Sequence, residues 1–348
     1  MIYSNVCIEA FDSTLPDEIV TTAELERRLE PLYTRLKLPE GRLELLTGIR
    51  ERRIWPVGVT PGTQSVKTVQ KLFDRTGFDK SRIGALIHAS VCRDYLEPAT
   101  ACDVHYHAGL PKNCAVFDVS NACLGLLSGM IQIANMIELG QIEAGVVVGT
   151  ESSRSVMQAT IQHLNNDMTL DRKSVKTAFA SLTLGSGSAA VLLTSRKISR
   201  TGWRLLGGSM LAQTEFCHLC RSVNDQAGGD TMTPLMQTDS ETLMHEGIRA
   251  AVANFETFLS EVGWTRESIT KTFCHQVGRV HQQLMFEALQ LSPTLNYSTL
   301  EFLGNTGSVA LPIAAALGIE TGFAKQGDRA ALLGIGSGIN VLMLGVQL

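Results

Sequence analysis

The sequence predicts an α/β fold of largely parallel strands covered by helices, and three observations predict it. Short runs of Val, Ile, Leu and Ala (IGALIHAS, CAVFDVS, AGVVVGTE, SAAVLLTS, RAALLGIG and NVLMLGVQL) alternate with longer helical patterns. The runs are continuously apolar rather than alternating, so both faces of each strand are buried, as happens where helices cover both sides of a parallel sheet. Finally, GSGSAAVLL at residues 185–193 resembles GSGINVLML at residues 336–344, each a glycine turn opening into an apolar strand. That self-similarity predicts an internally duplicated chain, 1–196 and 197–348, with its boundary between Arg196 and Trp203.

The elements follow in chain order. The opening MIYSNVCIEAFDS carries Glu9 and Asp12 and lacks the basic region and apolar run of a signal peptide, so a cytoplasmic location is expected. IGALIHAS is the first strand; the loop CRDYLEP follows, and YHAGL, with His105 and His107 facing solvent, is a short helical or loop segment. The strand Cys114–Val119 leads through Asn121 and Ala122 into the helix LGLLSGMIQIANMIEL. AGVVVGTE is the next strand. The spacing from Cys123 to Gly185 exceeds that from Asn305 to Gly336, which places an insertion at about 152–181 in the first half. ETLMHEGIRAAVANFETFLSEV is a long amphipathic helix of the second half, and RAALLGIG and NVLMLGVQL are its closing strands.

Composition narrows the function. The 348 residues, 44% of them hydrophobic, supply a large core, and a formal net charge of -4 with no basic cluster beyond Arg50, Arg52 and Arg53 argues against nucleic acid. No apolar run is long enough for a membrane-spanning helix. The eight cysteines sit mostly in apolar, strand-like surroundings, which suits buried thiols in a reducing compartment. Cys217, His218 and Cys220 lack a second ligand pair at zinc spacing and read as packing residues, so no metal is expected. The turns GSGS and GIGSG lack the Lys-Ser/Thr of a phosphate loop and the GxGxxG spacing, so no nucleotide cofactor is expected.

Cys123 is the leading candidate for chemistry. It lies where a strand ends and a helix begins, in the predicted first turn of that helix, where free amide N–H groups and the helix dipole favour a thiolate. Ser120, Ala122 and Gly125 leave room for a substrate, and the Cys123 amide can donate to an oxyanion. Taken alone, a cysteine at a strand end is more often a packed core residue. Two further segments change the balance: FCHQVGRVH at 273–281 supplies His275 after a short apolar strand, and FLGNTGSVALP at 302–312 supplies Asn305 in a glycine-flanked turn. Both side chains can hydrogen-bond a thioester carbonyl.

With the closing GIGSG and with GIRERRIW at 48–55, these motifs resemble in order those of the thiolase superfamily, in its ketoacyl-carrier-protein synthase III branch. The resemblance implies a duplicated α-β-α-β-α five-layer fold with two mixed five-stranded sheets. It implies Cys123 as acyl-accepting nucleophile, His275 and Asn305 as stabilisers of the thioester oxygen or enolate, and Gly338 beside the Cys123 amide in a second oxyanion hole. The chain departs from synthase III at three places: Glu97 where that branch has an apolar residue before proline, Gly278 where it has Asn, and Leu46 where it has Arg. A carboxylate can remove an α-proton, which malonyl substrates do not require. RDYLEP, NACL, HQV and GIGSG resemble the OleA-type enzymes, which join two fatty acyl-CoAs head to head. That resemblance implies a homodimer, Glu97 acting in the partner's site, acyl-CoA as substrate, and no cofactor. The alternatives are a synthase III condensing acyl-CoA with malonyl-carrier protein, and a non-catalytic acyl-binding protein on the same scaffold.

Overall fold

The computed structural model describes residues 1–223 and 235–348. The strands are β1 (Val6–Thr14), β2 (Glu18–Thr21), β3 (Glu51–Ile54), β4 (Ile83–Ala89), β5 (Ala115–Val119), β6 (Ala144–Glu151), β7 (Gly187–Ser195), β8 (Arg204–Ala212), β9 (Cys220–Val223), β10 (Leu235–Thr238), β11 (Lys271–Cys274), β12 (Arg329–Gly336) and β13 (Asn340–Gln347). Nine of them join in the order β11-β12-β13-β8-β1-β7-β6-β4-β5, while β2 with β3 and β9 with β10 form separate pairs. The six apolar runs of the sequence are β4, β5, β6, β7, β12 and β13.

The two halves repeat one another. In the first, β5, β4 and β6 are parallel, and β7 and β1 follow antiparallel. In the second, β11 and β12 are parallel, and β13 and β8 follow antiparallel. Within the sheet the halves join where β1 meets β8, at Cys7 with Arg204 and, just before β1, at the bridge Ile2 to Gly207. The expected fifth strand of the second half is reduced to one bridge, Thr272 to Asn296, in the position that β5 takes in the first. The segment LSPTLNYST explains the loss, because Pro293 begins a short 3-10 turn and cannot donate to a ladder. Instead of two separate five-stranded sheets, five strands and four strands run on as one.

Three apolar clusters set the layers. One packs the helices Pro61–Thr76 and Thr100–Ala108 on one face of the first half-sheet. Another packs Ser240–Val262 and Arg279–Leu289 on the second. The largest is shared: the helices Gly125–Glu138 and Ala310–Glu320 lie in it against strands of both halves. The sequence ALPIAAALGIE has no polar face at all, the pattern of a helix enclosed by protein on every side.

β1 lies outside the six predicted runs although it is central to the sheet. Its Glu9 and Asp12 are buried, and each is paired with cations at the sheet's margin. Asp12 takes Lys71 Nζ at 3.1 Å and Arg75 Nε at 2.7 Å; Glu9 takes Arg200 Nε at 3.2 Å. The basic run Arg50–Arg53 also looks different in the fold, since Arg52 is buried and donates to Thr22 Oγ1 at 3.0 Å and the Leu182 carbonyl at 3.1 Å. No helix among the described residues is long and apolar enough to cross a membrane.

Because Asp12 is buried while its partners reach in from solvent, Asp12→Ala strands two cations at the end of β1. It should cost about 2 kcal/mol, read as a lower urea midpoint. An unchanged midpoint would show that the pairs contribute nothing to the strand.

Candidate active site

The two enclosed helices begin at the two turns that the sequence singled out. After β5 the chain passes Asn121 and then Ala122, whose φ of 44° is left-handed, a costly conformation for a residue with a Cβ. Leu124 N–H donates to the Asn121 carbonyl at 2.9 Å, and Gly125 N–H to Ala122 at 3.2 Å. The Asn121 side chain donates to Ser128 Oγ at 3.0 Å and accepts from Asn340 Nδ2 at 3.2 Å. Cys123 is thereby fixed at the mouth of the helix. It stands two residues before the first helical residue, Gly125, rather than within the first turn.

The closing strand turn lies against it. A Cβ on Gly336 would sit 3.6 Å from the Cys123 Cβ, and the Ser337 backbone N–H hydrogen-bonds the Cys123 sulfur. Gly338 follows at a φ of 143°, where a side chain would meet Asn340 Nδ2 at 2.6 Å. The sulfur is thus met by the backbone at Ser337 and at Cys123 itself, a contact separate from the oxyanion hole for which the sequence nominates Gly338.

Burial pushes the Cys123 thiol up to about 12, with the charges of Cys220 and Glu151 adding to the shift and the Ser337 hydrogen bond opposing it. The thiolate expected from the helix dipole is therefore not the resting state: desolvation outweighs a helix that starts two residues later. His275 is held neutral for a related reason. Burial first, and His281 nearby, lower it to about 3, and burial lowers His281 itself to about 4. At neutral pH the resting groups are a thiol and a neutral imidazole.

His275 follows β11, and its N–H bonds the Leu333 carbonyl of β12 at 3.1 Å, the strand that continues into Gly336 and Ser337. Neither of its ring nitrogens has a hydrogen-bond partner among the described residues. Asn305 is fixed by three bonds: its N–H to the Thr183 carbonyl at 2.9 Å, its carbonyl from Gly185 N–H at 2.8 Å, and its Oδ1 from Gly307 N–H at 3.0 Å. Because Oδ1 is already accepting, the amide nitrogen is the group left to meet a substrate oxygen. The turn reaches the cysteine helix through Ser308, whose Cβ lies 3.5 Å from a Cβ built on Gly125.

Glu97 is exposed, on the loop between β4 and the helix Thr100–Ala108. It makes no hydrogen bond or ion pair to a described residue of its own chain. On its loop Tyr95 and Leu96 are exposed apolar side chains, and Phe117 is another on the sheet's edge strand β5. No disulfide forms among the described residues, and Cys102 and Cys217 are exposed rather than packed. In the CHLC cluster Cys217 and His218 are exposed, while Cys220 accepts from Thr238 Oγ1 at 3.4 Å and lies within electrostatic reach of Cys123. Among the described residues no group of three or more His, Cys, Asp and Glu is placed to hold a metal. His107 is exposed, and the half-buried His105 Nε2 meets the Pro111 carbonyl at 2.9 Å.

Comparison with known proteins adds independent findings. Residues 63–201 match the thiolase N-terminal domain, and residues 259–347 match the C-terminal domain of 3-oxoacyl-[acyl-carrier-protein] synthase III. The chain is 41% identical over 350 aligned residues to an acyl-CoA:acyl-CoA alkyltransferase of Shewanella oneidensis, covering 100% of both chains. It is 33% identical to one from Xanthomonas campestris, covering 99% of this chain and 98% of that one. A beta-ketoacyl-[acyl-carrier-protein] synthase III of Koribacter versatilis is 24% identical over 95% of this chain and 94% of its own. Among solved structures, the cerulenin-bound OleA of Xanthomonas campestris superimposes with a TM-score of 0.94 at 32% identity, covering 100% and 98%. An OleA variant with bound lauric acid and lauroyl-CoA gives 0.93 at 32% identity, covering 100% of both chains.

The protonation of Cys123 is directly measurable. With its thiol raised to about 12, iodoacetamide labelling of the ligand-free protein at Cys123 should keep climbing with pH through 9 without a plateau, and at neutral pH should lag the exposed Cys102 and Cys217. A labelling midpoint below the ordinary thiol range would mean that the resting group is a thiolate after all.

Proposed function

The chain belongs to the acyl-CoA:acyl-CoA alkyltransferases, and from that membership we propose that it joins two fatty acyl-CoA thioesters by a Claisen condensation releasing no carbon dioxide. The observation that supports the reading is that the turns bearing Cys123 and Asn305 lead into the two helices of the shared core, and that the second turn reaches the first helix where the Ser308 Cβ would lie 3.5 Å from a Cβ on Gly125.

The steps follow from the groups present. The first acyl-CoA carbonyl is attacked by Cys123 sulfur, whose proton passes to the neutral His275; the C–S bond to CoA breaks and CoA leaves as the thiol, taking that proton. A resting thiol limits side reactions of an open site, and the cost of ionising it is met only when a thioester is in place. The acyl group stays as a Cys123 thioester. A second acyl-CoA then loses its α-proton to Glu97, and the enolate oxygen is stabilised by His275 and Asn305. Its α-carbon attacks the acyl-Cys carbonyl, whose oxyanion is met by the backbone amides at Cys123 and Gly338. The Cys123–acyl bond breaks, and a 2-alkyl-3-ketoacyl-CoA is formed, which hydrolysis converts to the keto acid. Every step uses groups of the chain alone, so the reaction needs no cofactor. CoA thioesters serve as both substrates.

Glu97 acts in the partner's site of a homodimer. Its exposure on a loop with Tyr95 and Leu96, together with the exposed Phe117 of the edge strand β5, supports this, because an unpaired apolar edge is a surface that another chain covers. We divide the chain into halves at 1–196 and 197–348; β7 ends at Ser195 and β8 begins at Arg204. The insertion at 152–181 holds the helix Arg154–Asn166 and the start of a 3-10 segment, and with Leu235 and Met236 it encloses about 110 Å³ lined by Leu164, Leu170 and Ala178. Thr160, His163, Ser174, Thr177 and Gln237 line it as well, so the space is of mixed polarity. Eight cysteines that form no disulfide among the described residues accord with a cytoplasmic location.

Incubation with lauroyl-CoA should add one acyl group per chain at Cys123, seen by peptide mass mapping, and Cys123→Ser should abolish it. Acylation at Cys220 or Cys274 instead would defeat the assignment. Glu97→Gln should keep that adduct but lose α-hydrogen exchange and product; a decarboxylating synthase would retain condensation with malonyl-carrier protein. Mixing Cys123→Ser with Glu97→Gln chains should restore activity in heterodimers, and no recovery despite subunit exchange would place Glu97 in its own subunit's site or outside the chemistry.

A further inference from the structure

The last residue of β6, Glu151, is a buried carboxylate that the mechanism above does not use. Its Oε1 accepts from Val91 N–H at 3.0 Å, Ser308 Oγ at 2.5 Å and Ser308 N–H at 3.4 Å, and its Oε2 accepts from Cys92 N–H at 3.3 Å. No Lys or Arg among the described residues forms an ion pair with it. A buried negative charge without a cation is expensive, and only a full set of donors makes it tolerable. Its backbone is tied as well, the carbonyl accepting from Trp55 Nε1 at 3.1 Å.

What those donors belong to matters. Val91 and Cys92 begin the loop that carries Glu97, and Ser308 ends the turn that carries Asn305. Glycine at 307, with a φ of 59°, is part of the arrangement: a Cβ there would come within 3.1 Å of the Glu151 Cγ. The loop is anchored twice more near its start, by Ser90 Oγ to the Thr150 carbonyl at 2.7 Å and by Asp94 Oδ1 accepting from Gly62 N–H at 2.8 Å. Beyond Asp94 it runs free and exposed to Pro98.

We infer that Glu151 is a positioning residue for the condensation step: one carboxylate holds both the Asn305 turn of its own site and the root of the loop that carries Glu97 to the partner's site, so condensation in either site depends on it. With each oxygen already accepting, it is not itself a base. The inference rests on the condensation reading and deepens it. It also explains why the chain keeps a negative charge beside its nucleophile, where that charge, like that of Cys220, opposes thiolate formation.

The test compares Glu151→Gln with wild type in three assays using lauroyl-CoA and iodoacetamide: the Cys123 adduct, the condensed product, and the pH profile of Cys123 alkylation. Misplacement of about an ångström costs on the order of 10²-fold, so product formation should fall roughly 10²-fold while acylation changes far less. Removing the charge should move the alkylation profile to lower pH, since the thiolate loses a neighbouring anion; Cys220 remains as the other group acting on it. Ser308→Ala, which keeps the charge but removes the shortest clamp bond, should give a smaller split with no shift in the profile, and it decides the question if Glu151→Gln fails to fold. Acylation and condensation falling by the same factor, or neither changing, would overturn the inference. Absence of a Cys123 adduct in wild type would instead overturn the condensation reading on which it rests.

Discussion

The site depends on one backbone contact between the halves. Asn305 donates to the Thr183 carbonyl at 2.9 Å and accepts from Gly185 N–H at 2.8 Å, a two-bond ladder that locks the glycine turn of the first half to the asparagine turn of the second. The approach is so close that a Cβ on Gly185 would lie 1.9 Å from the Leu303 carbonyl oxygen, so only glycine fits. From that contact the rest follows: the Asn305 turn is aimed, Ser308 reaches the cysteine helix, and the two enclosed helices share one apolar cluster. Chemistry at the junction is a consequence of how a duplicated chain closes on itself.

Enclosure shapes the reactivity. The same burial that packs the two helices strips water from Cys123 and His275, and both rest uncharged. A solvated cysteine ionises more readily, but its thioester would also meet water. Here the polar groups that do reach the thiol are fixed ones, above all the Ser337 N–H, and fixed donors stabilise developing charge without reorganising.

Much of this was readable in the chain. Six apolar runs marked six strands, because strands buried on both faces leave an unbroken apolar record. β1 left a different record: Glu9 and Asp12 break the run, and the cations that make them tolerable, Lys71, Arg75 and Arg200, come from distant positions that no local pattern links to them. The missing fifth strand of the second half was signalled only by Pro293, and the resemblance to a symmetrical family argued the other way. At the site, Cys123, His275 and Asn305 stand in recognisable turns. Ser337 acts through its backbone, which a side-chain motif does not register. Glu151 is one acidic residue closing an apolar run, and its meaning lies in donors sixty or more positions away.

The shared helical layer has a consequence for how the chain comes into being. During synthesis the first half emerges with Gly125–Glu138 able to pack on its own strands β4, β6 and β7, but the rest of the shared apolar cluster, Ala310–Glu320 with β12 and β13, is made last. Until then the inner surface of the nascent half is exposed, the condition in which partly made chains associate wrongly. The nucleophile therefore exists long before its surroundings do. Cys123 can meet Gly336 and the Ser337 amide only once the closing strands have been made.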